Sequence, residues 1–383
     1  MMDQNISVEN TPLPEKKEKS KKKLFLIIGG IFILLLIIGI VIFFLLRNNE
    51  EETPEEVEQT SQSEEQIEPT LVWSVESEEK LNSLAVSPDG QYIAVGEYLK
   101  ASMYNLGDGE FQKEIEYRHS VDDLEFSNDS KILAGGQGVN GTLLNDIETG
   151  LEVKSLHDGY NNYLAFSPDG NSIATGNREG IIWIWDLESY EMIKELEEED
   201  PTWIKSIVYH PDGNLLAVTH WGSTSGNPYI NIWDIEEEEI IDRIDLTVTV
   251  GSVVNLVKYS PAGDLLAIAD RNDEWEYFVK LLDVESGEEV LKIDIEKNQY
   301  DLDFSPDGTM IAVGVQAAPV KIYSVETGEL LYTFNQTGFE TGESNWIQAV
   351  SFTPDSNHVA VTRADNSLEL WQLSEVESVE TEE

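Results

Sequence analysis

The chain has 383 residues, no cysteine and a formal net charge of −50, with 74 Asp and Glu against 24 Lys and Arg. That charge argues against nucleic acid and anionic lipid surfaces as partners, since both would be repelled. The lack of cysteine excludes disulfides, lipoprotein attachment, Cys-based metal sites and thiol catalysis, and leaves packing to hold the fold.

The first segment, 1–23, is a short Lys-rich tail. Leu24 to Leu46 follows, 23 residues without a charge. At ~1.5 Å per residue a helix there reaches ~34 Å, enough for a bilayer core of ~30 Å. Six lysines between Lys16 and Lys23 precede it, and Arg47, two Asn and three Glu follow it. This asymmetry predicts a single-pass transmembrane helix with the N-terminus cytoplasmic and the remainder extracytoplasmic. The apolar run is longer than a signal-peptide core and no small-x-small cleavage pattern follows. Residues 47–69 are rich in Glu, Gln, Ser and Thr without an aromatic residue, the composition of a disordered acidic linker. The terminal residues 374–383 have the same character.

Between them a turn motif recurs seven times. It reads Ser87-Pro88-Asp89-Gly90, Ser127-Asn128-Asp129-Ser130, Ser167-Pro168-Asp169-Gly170, His210-Pro211-Asp212-Gly213, Ser260-Pro261-Ala262-Gly263, Ser305-Pro306-Asp307-Gly308 and Thr353-Pro354-Asp355-Ser356. The steps are 40, 40, 43, 50, 45 and 48 residues, the period of a stacked or circular array. Pro presets φ, Asp bonds the local backbone and Gly takes the left-handed position, which is hairpin chemistry. Each turn joins two apolar runs, and two further runs follow, giving four antiparallel strands per unit. The expected fold is therefore all-β, a seven-bladed β-propeller over 70–373. The last unit has only three strands, and Thr70 to Val75 has no blade of its own. The N-terminal strand is expected to complete the last blade and remove an open sheet edge.

The repeats resemble WD40 propellers over residues 70–373. The nearest unit is the third, where Ser167 to Asp186 ends in Trp183-Ile184-Trp185-Asp186. The resemblance implies that His157, Thr175, Glu179 and Trp185 take the places of the family's structural hydrogen-bonded chain, with Glu for the usual Asp.

No catalytic motif is present: no phosphate loop, no nucleophile elbow, no metal-loop pattern and no paired histidines. No cofactor and no metal is expected. Two carboxylate pairs, Asp123/Glu125 and Asp301/Asp303, fall two apart on inner strands, so each pair shares a face. Lys258 takes the strand position of Asp303 in the neighbouring unit. A Lys258–Asp303 bridge, solvated channel-facing carboxylates and a cation site are the three readings. The candidate working surface lies on the loops at one end of the ring. Trp203, His220, Trp221, Trp275, Phe339 and Trp346 stand on or beside long loops of blades four to seven, where large aromatics suit recognition. Trp203 and Trp346 share one repeat position and could instead cap their blades. The expected function is a membrane-anchored scaffold binding a protein partner, or a peptide or glycan. The alternatives are a hydrolase- or lactonase-like enzyme working in the channel and a structural subunit of a membrane complex.

Overall fold

The computed structural model describes residues 68–156, 160–197, 202–221, 228–246, 257–272, 274–297, 299–316, 319–334 and 346–373. Residues 1–67 and 374–383, which include the apolar segment 24–46, lie outside them. Among the described residues no helix is long and apolar enough to cross a membrane.

Twenty-eight strands are described, and they form seven four-stranded antiparallel sheets. The innermost strands, in blade order, are Ser83–Val86, Asp123–Phe126, Asn161–Phe166, Ile204–Tyr209, Val257–Tyr259, Gln299–Phe304 and Ile347–Phe352. Six blades are built from consecutive strands. The seventh takes its outer strand, Thr70–Glu76, from the start of the propeller sequence, where it pairs with Ser367–Gln372.

The apolar residues do not form one core per blade. They fall into seven clusters, each shared by two adjacent sheets. One joins Met103 and Ile115 of blade 1 to Leu124 and Phe126 of blade 2. Another joins Leu281 and Ile293 of blade 5 to Leu302 and Phe304 of blade 6. The cluster that closes the ring sets Leu368 and Leu370 of blade 7 against Ile93 and Val95 of blade 1, with Trp73 packed on it. A sheet hydrophobic on both faces needs two neighbours, and a closed ring supplies them.

The turn motif works as its chemistry predicts. In the first turn Ser87 Oγ donates to Asp89 Oδ1 at 2.7 Å, and Gln91 N donates to the same oxygen at 3.0 Å. Gly90 has φ 69°. Departures from the motif are compensated. Ser130 and Ser356 replace Gly at φ 56° and 57°, and each hydroxyl accepts from the turn of the preceding blade, from Asp89 N and Asp307 N at 3.1 Å. Where Ala262 replaces Asp, Ser260 Oγ donates to Asp264 instead at 2.7 Å.

Every outer strand carries a register shift against its neighbour, for example opposite Ile184/Trp185 and opposite Ile232/Trp233. A bulge in each outermost strand spoils the flat edge that would otherwise template pairing with another chain.

Blade 3 shows part of the implied structural chain. Trp185 Nε1 donates to Thr175 Oγ1 at 2.9 Å, while Glu179 is exposed and His157 lies outside the described residues. Blade 7 has Val361 at the place of Thr175. There Trp371 Nε1 donates to Glu369 Oε2 at 2.8 Å, and Arg363 Nε donates to the same oxygen at 2.9 Å in a buried pair. In blade 4 Val218 takes that place, and Trp233 Nε1 finds no partner among the described residues.

The closing strand rests on Trp73, whose Nε1 donates to Leu106 O of blade 1 at 2.9 Å. Its ring lies over Gly109, where an added Cβ would come within 2.7 Å of the ring. Deleting 70–75, or Trp73→Ala, is expected to destabilise the whole ring, the point variant by roughly 2–4 kcal/mol. An equal deletion at 55–60 should leave the unfolding curve in place. Denaturant unfolding of the full chain reads this, and coincident midpoints for all three variants and the parent would reject the closure.

Candidate interaction face and channel

The ring has two unlike ends. One carries the repeated Ser-Pro-Asp-Gly turns and the tight turns between the third and fourth strands. In the latter an Asp bonds the local backbone, as when Asp186 Oδ1 accepts from Ser189 N at 2.7 Å. The described chain starts and stops at this end. Thr70 pairs with Gln372, and Leu373 N donates to Asn357 O, just past the last turn, at 2.8 Å. The opposite end carries the loops between second and third strands and the connections into each inner strand.

On that loop end the structure brings together two of the aromatic residues singled out in the sequence. Trp221 N donates to Trp203 O at 2.7 Å. Trp203 is 51% exposed and Trp221 is half-buried. Two cations lie against them. The guanidinium carbon of Arg178, from blade 3, is 5.4 Å from the Trp203 ring and 5.9 Å from Tyr160. Lys205 Nζ, on the inner strand of blade 4, is 4.8 Å from the Trp221 ring. Rings attract cations through the negative potential of their faces, so five side chains from two blades form one continuous cluster. Burial first, and then the charge of Arg178, hold the Lys205 pKa below its ordinary value.

The other candidates stand apart. Trp275 is 64% exposed in blade 5, at φ 66°, with the buried Arg271 guanidinium 3.6 Å from its ring centre. An aromatic residue in the left-handed region is uncommon, and the neighbouring cation accounts for where its ring lies. Trp346 is 38% exposed in blade 7, and its carbonyl accepts from Ala364 N at 2.8 Å, the bond Trp203 makes with Trp221. This bond marks the two as one repeat position. His220 departs from the expected surface: it is fully buried, its ring stacked on Tyr229 at 4.8 Å. It ends the strand Leu215–His220, in which every residue after Leu215 is buried. Phe339 lies outside the described residues. Tyr160, Arg178 and Lys205 were not singled out in the sequence. A signal existed, since Arg178 holds the same place after the second strand as Trp221 does one blade later.

The inner strands enclose a channel of about 740 Å³. Its carboxylates prove to be braces between blades. Asp123 Oδ2 accepts from Leu164 N at 2.9 Å and Glu125 Oε2 from Phe166 N at 3.1 Å. Four blades on, Asp301 Oδ2 accepts from Val350 N and Asp303 Oδ2 from Phe352 N, both at 2.9 Å. An innermost strand has no neighbour on its channel side, so its N–H groups need acceptors. Among the described residues the preceding blade supplies them at two blade junctions. The expected Lys258–Asp303 bridge is corrected accordingly: the carboxylates point to the next blade's backbone, and Lys258 sits within electrostatic reach of all four without closely pairing with any. Burial opposes its charge, but Asp303, Asp301, Glu125 and Asp123 together raise its pKa. Burial in the channel pushes Asp123 up to about 6 and Asp301 to about 7; burial, and then the charge of Asp123, push Glu125 to about 8. Among the described residues no group of three or more His, Asp or Glu is placed to hold a metal ion.

The carboxyl of Glu125 keeps its proton in the folded ring up to about pH 8, against 4.5 for the ordinary side chain. Between those values the folded state binds more protons than the unfolded one. Its contribution is therefore complete below the unfolded pKa and is lost as pH rises through the folded one. The melting temperature is expected to fall between about pH 5 and about pH 9. Glu125→Gln keeps an acceptor for Phe166 N and should flatten that fall, melting above the parent at the alkaline end. Parallel profiles for parent and variant would reject the assignment.

Two segments, 157–186 and 328–372, match the family model described as WD domain, G-beta repeat. Relatives are distant. A transcriptional corepressor of Arabidopsis thaliana, LEUNIG_HOMOLOG, is 24% identical over 65% of this chain and 30% of its own length. THO complex subunit 3 of the same plant is 23% identical over 60% of this chain and 70% of its own. Pre-mRNA-processing factor 19 of Caenorhabditis elegans is 24% identical over 43% and 32%. The chain thus spans about a third of the length of two of these relatives. The seven four-stranded blades, the last completed by the strand Thr70–Glu76, make this chain a β-propeller, and two of its segments match the WD40 repeat.

Proposed function

We propose that this propeller is a protein-interaction scaffold that works through the loop end of blades 3 and 4, held at the membrane by residues 24–46 with the ring outside the cytoplasm. The observation that carries the reading is the cluster of Trp203 and Trp221 with Arg178 and Lys205, an exposed aromatic surface set on rigid strand ends. Tryptophan and arginine are the side chains that dominate binding energy at interfaces. The relatives add support, being named as a corepressor, a complex subunit and a processing factor. The anchoring and its direction rest on the uncharged run 24–46 and the lysines before it.

Two measurements test this. The full chain in detergent would be used to capture partners alongside Trp203→Ala, Trp221→Ala and, as a control distant on the ring, Tyr98→Ala. Binding of a captured partner should weaken by about 30-fold in the first two variants and hold in the control; equal binding by all would move the site. Because the chain has no cysteine, Glu188→Cys gives one reporter thiol. Its labelling in intact cells by an impermeant maleimide is expected, and labelling only after lysis would reverse the topology.

A further inference from the structure

We infer that the cluster of Arg178 and Lys205 is a receptor for an acidic segment of the partner protein, an inference that rests on the scaffold reading above. The cations stand in an acidic surrounding: from residue 48 onward the chain holds 70 Asp and Glu against 17 Lys and Arg. Lys100, Arg118, Lys194, Arg243, Lys292 and Lys321 each pair with one. Among the described residues Arg178 and Lys205 make no ion pair, as is also true of Lys258. What sets these two apart is that the charge of Arg178 reaches Lys205 while Arg178 lies against Trp203 and Tyr160 and Lys205 against Trp221.

Two like charges held close, with one of them half-buried, repel each other and lose hydration. The ring faces offset part of this, at about 0.5–2 kcal/mol for each contact. A carboxylate set between the guanidinium and the ammonium would answer both charges at once. The guanidinium can hold it through two parallel N–H donors and the ammonium through a third. Exposed Trp203 and Tyr160, at 51% and 53%, flank the position and offer apolar contact to the residues on either side of the acid.

The chemistry favours a short acidic peptide over a nucleic acid. The field of a protein of net charge −50 repels any anion, but beyond about 8 Å that repulsion is screened at physiological salt. A segment with two or three carboxylates meets little of it; an extended polyphosphate meets it along its whole length. Added salt weakens the local contact and also relieves the distant repulsion, so salt dependence alone does not diagnose the site. Comparison of matched peptides does.

The test uses the full chain and fluorescence polarisation of labelled dodecapeptides. One alternates Glu and Leu around a central Trp, and its twin has Gln at every Glu. The acidic peptide is expected to bind more tightly than the Gln peptide despite the global repulsion. Arg178→Gln and Lys205→Gln should each weaken it at least tenfold, whereas Lys205→Arg retains it. Unchanged melting temperatures establish that these exposed or half-exposed changes leave the fold intact. Equal binding of the two peptides, equal binding by the Gln variants, or no binding to the parent would overturn the proposal. So would tighter binding of a single-stranded oligonucleotide, or peptide binding that emerges only when the chain's own 374–383 segment is deleted. If partner capture depends on Trp203 and Trp221 while the acidic peptide fails, the scaffold reading stands and only the acidic partner is lost.

Discussion

The structure depends on packing between blades. Each sheet is apolar on both faces, and none has a core of its own. Its seven clusters exist only where two blades meet, so the free energy of burial is realised only when the ring is complete. This makes closure a condition of stability. The N-terminal strand, with Trp73 reaching across to Leu106 and Gly109, joins the last blade to the first. A ring so closed presents two ends of fixed geometry, and function can reside in loops without disturbing what holds them.

Closure solves the face problem and leaves two edge problems. Outer strands expose unpaired backbone to other chains, and a bulge in each of them disrupts the template. Inner strands expose N–H groups to the channel. Side chains of the preceding blade answer this where Asp123, Glu125, Asp301 and Asp303 reach over to the backbone of blades 3 and 7. The same carboxylates sit near one another and near Lys258, so their charge is costly and their pKa values rise. A backbone requirement therefore accounts for the raised pKa values of the channel carboxylates, and catalysis is not needed to explain them.

Charge divides the protein's surface in a second way. The excess of acid is spread over the ring, while Arg178 and Lys205 stand together against aromatic rings. Long-range repulsion opposes the approach of polyanions, whereas contact recognition is decided within a few ångström, where two cations and three aromatic faces lie together. A partner can thus be selected by local chemistry opposite in sign to the field of the whole.

The architecture was legible in the sequence because its determinants are local. A turn of Ser-Pro-Asp-Gly shapes four residues, alternation shapes a strand, and a period of 40 to 50 residues counts the blades. The missing outer strand of the seventh unit and the spare Thr70–Glu76 strand were visible for the same reason. Tertiary structure decided what those local signals could not. His220 looked like a loop residue, but it ends a strand buried from Leu216 onward and stacks on Tyr229. Asp303 looked like the partner of Lys258, yet an unpaired N–H on the next blade lay in better geometry. Arg178 and Trp203 are 25 residues apart in sequence and on different blades. Only the angle between neighbouring sheets brings that guanidinium over that indole. Sequence determined the repeat, the charge and the uncharged apolar run 24–46. The meeting of side chains from adjacent blades, on which both the channel braces and the cation–aromatic face depend, came from the closing of the ring.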